Sequence, residues 1–370
     1  MKQKLAIIGA NEFQNPLILK AKELGYETHV FAWAAGAVGE KTADVFHPIS
    51  IVEKDEILAV CRREGVIAAC SIGSDLAIHT VNHVQRALGM PANPPETDFI
   101  ATNKFAMREA FAAAGVDCPR FKKLSAAPAP EELADFHFPV IVKPTDRSGS
   151  RGVFRCENPQ EVLSAVPAAC ECSFEKCAIV EEFLFGDEYS CESISHHGEH
   201  HLLAVTKKFT TGAPHFIETG HLEPAPLSPE QYALVENRVK KALDALHIRT
   251  GAGHTEFMLT PEGDFRVVEI GSRMGGDCIG SDLVPLSTGI DFVRAVIDTA
   301  VGKAPELTPT RVPCRARIRF LFTPEDAAEL RRLQTAAPEA LWRFQCDDDP
   351  SAPVSDSSNR HGFYITTEKI

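Results

Sequence analysis

Basic residues are in deficit in this chain. Lys and Arg number 38 against 51 Asp and Glu, giving a net charge of −13. A protein that tracks a phosphate backbone carries a clustered positive footprint, so no nucleic-acid partner is expected. Long apolar runs are also missing. No stretch approaches the roughly 20 residues of a membrane span, so no membrane partner is expected either. After the first predicted strand stands "GANEF" instead of G-x-G-x-x-G, and the Walker pattern G-x-x-x-x-G-K-[ST] occurs nowhere. NAD is therefore not expected, and any phosphate site must be built another way. The start, "MKQKLAIIGANEF", lacks a small-residue cleavage site after a long apolar core and reads as a strand, not a signal peptide. Together with 11 Cys, this predicts reduced thiols in a cytoplasm. "CECSFEKC" (Cys170, Cys172, Cys177) has no second ligand pair and reads as incidental rather than as zinc ligands. "SHHGEHH" reads as a polar turn around Gly198.

What is present is ordinary for a globular enzyme: 44% hydrophobic and 24% charged residues in a chain of 370, enough for two or three domains. The first hundred residues alternate strand and helix: "KLAIIGA", "NPLILKAKELG", "YETHVFAW", "EILAVCRREG", "VIAACSIG". Such alternation predicts a parallel sheet covered by helices on both faces. Ligands approach the carboxyl ends of strands in such sheets, and Ser74 and Asp75 sit at one of those ends. "MPANPPETD" is a Pro-rich break, and "KFAMREAFAAAGV" reads as a helix capped by Thr102. From "FPVIVKP" to about Gly302 longer strands and hairpins suggest an α+β region. A terminal segment follows with strands "CRARIRFLF" and "HGFYITTE" and a helix between them.

The informative stretch is "VVEIGSRMGGD", a buried-looking strand that carries Glu269 and Arg273. Alternation puts Val267, Glu269, Gly271 and Arg273 on one face if the strand persists. Upstream, "HTEFML" is joined to it by "TPEGD", whose Pro and Gly mark a tight connection. With the hairpin centred on Glu262 and Gly263, Glu256 lies opposite Glu269. Like charges directly opposite repel, and the simplest reason to keep them is a cation between them. Hard carboxylates without Cys or His suit Mg²⁺. Two solvated glutamates on an exposed face are the alternative, and the apolar neighbours Phe257, Met258, Val267, Val268 and Ile270 speak against it.

Two further hairpins precede this one. "FPVIVKPTDRSGSRGVF" places Lys143 at the end of a strand before a Ser/Gly loop, where backbone N–H groups can close on phosphate oxygens beside a lysine charge. "AIVEEFLFGDEYSCE" runs from a strand through acidic residues and Gly186 into another strand. An adenine could be read by the backbone at Glu182–Leu184, and ribose by Glu188.

Taken in order, Lys104, "VIVKP" with its glycine loop, "VEEFLFGDEYS", "HTEFML" and "VVEIGSRMGG" resemble the motif series of the ATP-grasp superfamily. The resemblance implies an N-terminal Rossmann-like domain over 1–100 and an ATP-grasp domain over 101–305. The latter would divide into a small lid subdomain, 101–180, and a metal-binding part, 181–305, with a β-rich C-terminal segment, 306–370, packed on it. It implies ATP as substrate and Mg²⁺, with Mn²⁺ able to substitute. ATP would meet Lys104, Lys143, Ser148, Gly149, Ser150, Glu181, Glu182, Phe183, Leu184, Glu188 and Met258, and the metal Glu256 and Glu269. One departure stands out: the usual E-x-N-x-R reads here with Gly271 in the Asn position. Arg273 is kept, and its fork suits a phosphoryl group or acyl phosphate. "FIETGHLEPAPL" is similar to the E-x-G-H element of the dipeptide-forming L-amino-acid ligases. That likeness implies Glu218 at a substrate amino group and His221 as a catalytic group near the phosphoryl, with Arg273, Gly276 and Asp277 lining the substrate pocket. For Glu218 and His221 a surface loop with a local hydrogen bond is the competing reading. The expected activity is joining of a carboxylate to an amine, with small-molecule substrates and room for a homodimer. The alternatives are a ligase of purine-like or carbamoyl phosphate-type metabolism, or a nucleotide-binding regulator of weak turnover.

Overall fold

The computed structural model describes residues 2–147, 149, 151–213, 216–260 and 262–370. The strands are β1 (Lys4–Ile8), β2 (Glu27–Phe31), β3 (Val45–His47) and β4 (Val66–Cys70), then β5 (Phe121–Leu124), β6 (Val140–Pro144), β7 (Phe154–Cys156) and β8 (Ala178–Glu182). After them come β9 (Asp187–His196), β10 (Glu199–Thr210), β11 (Glu218–Glu223), β12 (Gly251–Leu259) and β13 (Phe265–Gly271), and finally β14 (Cys314–Phe320), β15 (Leu341–Cys346) and β16 (Gly362–Lys369).

The first four form a parallel sheet in the order β3-β2-β1-β4. "VIAAC" is apolar throughout, and "KLAII" after its first residue, Lys4, because a parallel sheet is covered on both faces. Strands β5 to β8 make a small antiparallel sheet, β5-β8-β6-β7. The remaining eight form one sheet, β13-β12-β9-β10-β11-β14-β16-β15. The core is continuous between the parallel sheet and the large one: Leu5, Ile7 and Leu17 pack in the same cluster as Ile194, Leu203, Ala252 and Phe292. The terminal strands β14–β16 extend the large sheet directly, with β11 paired to β14. Sequence reading missed β15, "LWRFQC", whose residues are partly or largely exposed because it is an edge strand. No helix among the described residues is long and apolar enough to cross a membrane.

Two local expectations are corrected. The helix Lys104–Ala114 is capped by Asn103, whose side chain accepts from the N–H groups of Phe105 and Ala106, both at 3.1 Å. Thr102 is not free to cap, because its hydroxyl donates to the Asp98 carbonyl at 2.7 Å, at the end of a short helix, Pro95–Ile100, inside the Pro-rich break. In the hairpin, Glu256 does lie opposite Glu269, but for another reason. Nearer the turn Leu259 pairs with Phe265 and Phe257 with Val267, so the turn centres on Glu262 alone and the register there is one residue off the expected one. The register then shifts between Glu256 and Phe257, a β-bulge that restores the pairing. The bulge also breaks the alternation. Val267 and Ile270 pack in the core, whereas Val268 and Glu269 both face a cleft. Val267 and Glu269 therefore do not share a face.

One carboxyl outside the cleft is fully buried. Glu223, at the end of β11, accepts hydrogen bonds from the Thr206 hydroxyl and from Ser287 Oγ at 2.5 Å. Burial pushes it up to about 7 from its ordinary 4.5. The folded state then binds more protons than the unfolded one between those values, so this group's contribution is full below about 4.5 and is lost as pH rises through about 7. Glu223→Gln should remove that dependence, worth roughly 3 kcal/mol. Urea unfolding across this interval checks it: a parental pH slope in the variant would contradict the assignment.

Candidate active site

A cleft of about 430 Å³ opens between the small sheet, the large sheet and the end of the parallel sheet. Its wall on the small sheet is built around a buried ion cluster. Lys143 on β6 lies 2.6 Å from Glu181 on β8, its antiparallel neighbour, and Arg108 from the helix Lys104–Ala114 reaches Glu181 at 2.6 Å. Burial opposes the charge of Glu181, but Arg108 and Lys143 outweigh it and hold the carboxyl below its ordinary value. Burial dominates at Lys143 and pulls it down. Lys104 Nζ donates to the Arg147 carbonyl at 2.8 Å, holding the entry to the glycine loop, and meets Glu269 at 3.0 Å. Gly149 lines the cleft, while Ser148 and Ser150 lie outside the described residues.

The connection from β8 to β9 forms one end of the cleft, where Glu182, Phe183, Leu184 and Glu188 face it. The N–H groups of Glu182 and Phe183 are taken by the carbonyls of Arg120 and Pro139, each at 3.0 Å. Of the three expected backbone positions, Leu184 is the one whose N–H is not engaged in this way among the described residues. The floor is β12, which presents His254, Glu256 and Met258 on one face, as its alternation dictates.

Each of the opposed glutamates has a lysine partner, which corrects the expectation that a metal cation between them is what relieves their repulsion. Lys208 of β10 is buried beside Glu256 at 2.7 Å and Glu188 at 2.8 Å, with Glu218 at 3.8 Å. Burial opposes its charge, yet the three carboxylates raise it well above the ordinary lysine value. Lys104 serves Glu269 in the same way. On the other side of Glu256, His254 Nε2 lies at 3.3 Å, and its Nδ1 bonds to the buried Glu192. Burial works against the imidazolium, but Glu192 and Glu256 push it up to about 9. Glu192 also accepts the Gly275 N–H at 2.8 Å, and a Cβ on Gly275 would stand 2.5 Å from Glu192 Oε1, so only glycine fits there.

The far end gathers Glu218, His221, Arg273, Gly276 and Asp277. Asp277 and Cys278 both have positive φ, 51° and 62°, ahead of a π-helical turn, Ile279–Leu283. Non-glycine residues adopt this conformation at a cost. Here it sets Asp277 2.7 Å from Arg360 and 3.9 Å from His221. Arg360 stacks on Phe320 with 3.6 Å to the ring centroid, and Ser357 donates to Glu218 at 2.8 Å. Residues after β15 thus close this end. His221 is buried, and its Nδ1 has no hydrogen-bond partner among the described residues. The guanidinium of Arg273 is held by Asp75, with Nε at 2.8 Å from Oδ1 and Nη2 at 3.2 Å from Oδ2.

Residues 136–281 match the family described as the ATP-grasp domain. The chain carries an ATP-grasp domain. It is 29% identical over 244 residues to an uncharacterised protein, y4rH, of Sinorhizobium fredii, covering 64% of this chain and 49% of that one. It is 25% identical over 300 residues to the alanine–anticapsin ligase of Bacillus subtilis, covering 72% of this chain and 63% of the ligase. The match thus spans about half to two thirds of the length of these curated relatives. The crystal structure of an L-amino acid ligase from Bacillus licheniformis superposes with a TM-score of 0.82, covering 100% of this chain and 94% of that one at 22% identity. The fold is the ATP-grasp fold.

Sequence reading did not select Arg108, Lys208, His254 and Ser357, which line the ATP-grasp cleft, or Glu192 and Arg360, which hold its His254 and Asp277 from behind. Lys208 carried the same signal as Glu269, a charge inside an apolar strand ("LLAVTKKFT"). Arg108 stands four residues after Lys104 on one helix face, a spacing that brings two cations together. Glu181→Ala should leave Arg108 and Lys143 as unpaired buried cations and destabilise the fold by about 3–5 kcal/mol. Urea midpoints matching the parent would show that water, not Glu181, solvates them.

Proposed function

We propose that this protein is an ATP-dependent carboxylate–amine ligase with an amino acid as one substrate. The supporting observation is the layout of the cleft. Phosphate-competent cations, Lys104 and Lys143, lie at one wall and opposed carboxylates at the floor. A separate end carries Glu218, His221 and Arg273. The names of the relatives, alanine–anticapsin ligase and L-amino acid ligase, agree with this reading.

In this reading Lys143, with its partner Glu181, and Lys104 bind ATP phosphates, Met258 packs on the base, and Glu188 accepts from the ribose. Glu256 and Glu269 suit a divalent cation. Their hard oxygens face each other across two strands, and no group of three or more His, Cys, Asp or Glu among the described residues is set for a metal by itself. That pattern fits Mg²⁺, or Mn²⁺ in its place, arriving with phosphates. When bound, the ion neutralises phosphate charge during transfer. Glu188 and Glu256 would hold the ribose and the metal, and Lys208, which pairs with both, would then be free to meet a phosphate.

A carboxylate oxygen of the substrate attacks the γ-phosphorus, ADP leaves, and the acyl phosphate lies near Arg273. The amine nitrogen then attacks the acyl carbon, loses a proton, and inorganic phosphate departs. Glu218 is the acceptor for a substrate ammonium. Asp277 is already matched by Arg360, so we assign it to closing the pocket, not to a cationic side chain. A cytoplasmic site of action fits the ATP requirement.

A screen of amino-acid pairs for ATP-dependent phosphate release tests this. At least one pair should stimulate release. ATP binding with no stimulation by any pair would leave a nucleotide-binding module instead. Lys143→Ala should weaken ATP binding about 10- to 100-fold in a folded protein, and unchanged affinity by calorimetry would sink its phosphate role. Glu269→Gln should lower nucleotide-free stability slightly, since the Lys104 pair is lost. It should also cancel most of the rise in melting temperature that ATP–Mg²⁺ gives the parent. An equal rise in parent and variant would remove Glu269 from the metal site.

A further inference from the structure

Gly271 stands where the ATP-grasp pattern has a side chain, and the cleft shows what occupies that place. A Cβ built on Gly271 would lie 2.8 Å from Asp75 Oδ1, 3.1 Å from Arg273 Nε and 3.2 Å from its Cζ. Any side chain at 271 would therefore displace the Asp75–Arg273 pair. Asp75 belongs to the N-terminal domain. It is the first residue of the helix Asp75–Leu88, which is capped by the Ser74 side chain accepting from the Ala77 N–H at 3.3 Å. The neighbouring Gly73 N–H donates to the Met274 carbonyl at 3.2 Å. The loop after β4 and the loop after β13 are thus joined by backbone as well as by the ion pair.

We propose that Asp75 is the positioning residue for Arg273, taking over from the N-terminal domain the space that residue 271 leaves empty. This rests on the ligase reading above. Two of the guanidinium nitrogens, Nε and Nη2, are fixed by the carboxylate, whereas Nη1 reaches the Met274 carbonyl only at 3.5 Å. The Nη1 edge is then the part available to an anionic oxygen of the substrate. The charges of Glu192 and Glu256 also act on Arg273. Without Asp75, the fork would turn toward those carboxylates and compete for Glu256. A bidentate carboxylate fixes the plane of a guanidinium as a single acceptor does not, so the consequence falls on orientation, not on nucleotide binding.

The test uses the full chain, ATP–Mg²⁺ and the amino-acid pair found by phosphate release. Asp75→Asn keeps the shape and removes the charge. Its Kd for ATP–Mg²⁺ should stay within about twofold of the parent, while kcat falls on the order of 100-fold and KM for the carboxylate substrate changes far less. Gly271→Asn alone should lower the melting temperature and abolish turnover, because it strikes the pair. In an Asp75→Ala background the same substitution has room, so its melting penalty should vanish and part of kcat should return. Parental kcat in Asp75→Asn would overturn the proposal, as would ATP binding lost in step with kcat. So would an equal melting penalty for Gly271→Asn in both backgrounds. If the parent releases no phosphate with any pair, the ligase reading fails on its own, and the two melting penalties still judge the pairing.

Discussion

Charge removed from water must be paired, and the ATP-grasp cleft is organised by that requirement. Glu181 sits between Arg108 and Lys143, and Lys208 among Glu188, Glu256 and Glu218. Arg273 sits on Asp75, and Asp277 between Arg360 and His221. The Asp75–Arg273 pair ties the parallel sheet to the large one, and Arg108 ties the helix Lys104–Ala114 to the small one. Truncating one member of such a buried pair costs far more than the pair's net worth, which couples the shape of the cleft to its charge pattern. On the proposed reading, the negative charge of a nucleotide triphosphate would take the place of the carboxylates that hold the lysines.

Much of this was legible in the sequence because charges inside apolar strands are rare enough to notice. Glu269, Glu256 and Lys143 were found that way, and the parallel sheet followed from the alternation of strand and helix. The carboxylates face each other as expected only because two departures cancel: a register one residue off at the turn and a bulge at Val268. A bulge has no local signature in "RVVEIG", since the extra residue is itself apolar. The missed residues fall into two kinds. Lys208 and Arg108 carried a readable signal within one element. Glu192 did not, because its role exists only once distant segments meet, whereas Ser357 and Arg360 lie in "SSNRHGFYI", a stretch similar to the closing C-terminal strand of the L-amino-acid ligases.

Gly271 shows the limit from the other direction. As a letter in a motif it read as a loss, a missing oxygen donor. In three dimensions it is a place made for a carboxylate that arrives from another domain. Sequence comparison within one segment cannot register a substitution compensated nearly two hundred positions earlier, at Asp75 (separation 198).

The walls of the cleft are drawn from far apart along the chain: the loop after β4, the helix Lys104–Ala114, the hairpin β12–β13, and Ser357 ahead of β16. Bringing such distant segments together slows folding, because loop-closure entropy must be overcome before the contacts form. The small sheet, by contrast, is built from one stretch of about sixty residues, Phe121 to Glu182. During synthesis the Lys143–Glu181 wall can therefore take shape well before the end that carries Glu218 and Arg273 exists. On the proposed ligase reading, a growing chain would hold half a nucleotide site with no acceptor pocket, and the competence to transfer a phosphoryl group would arrive only with the last strands of the large sheet.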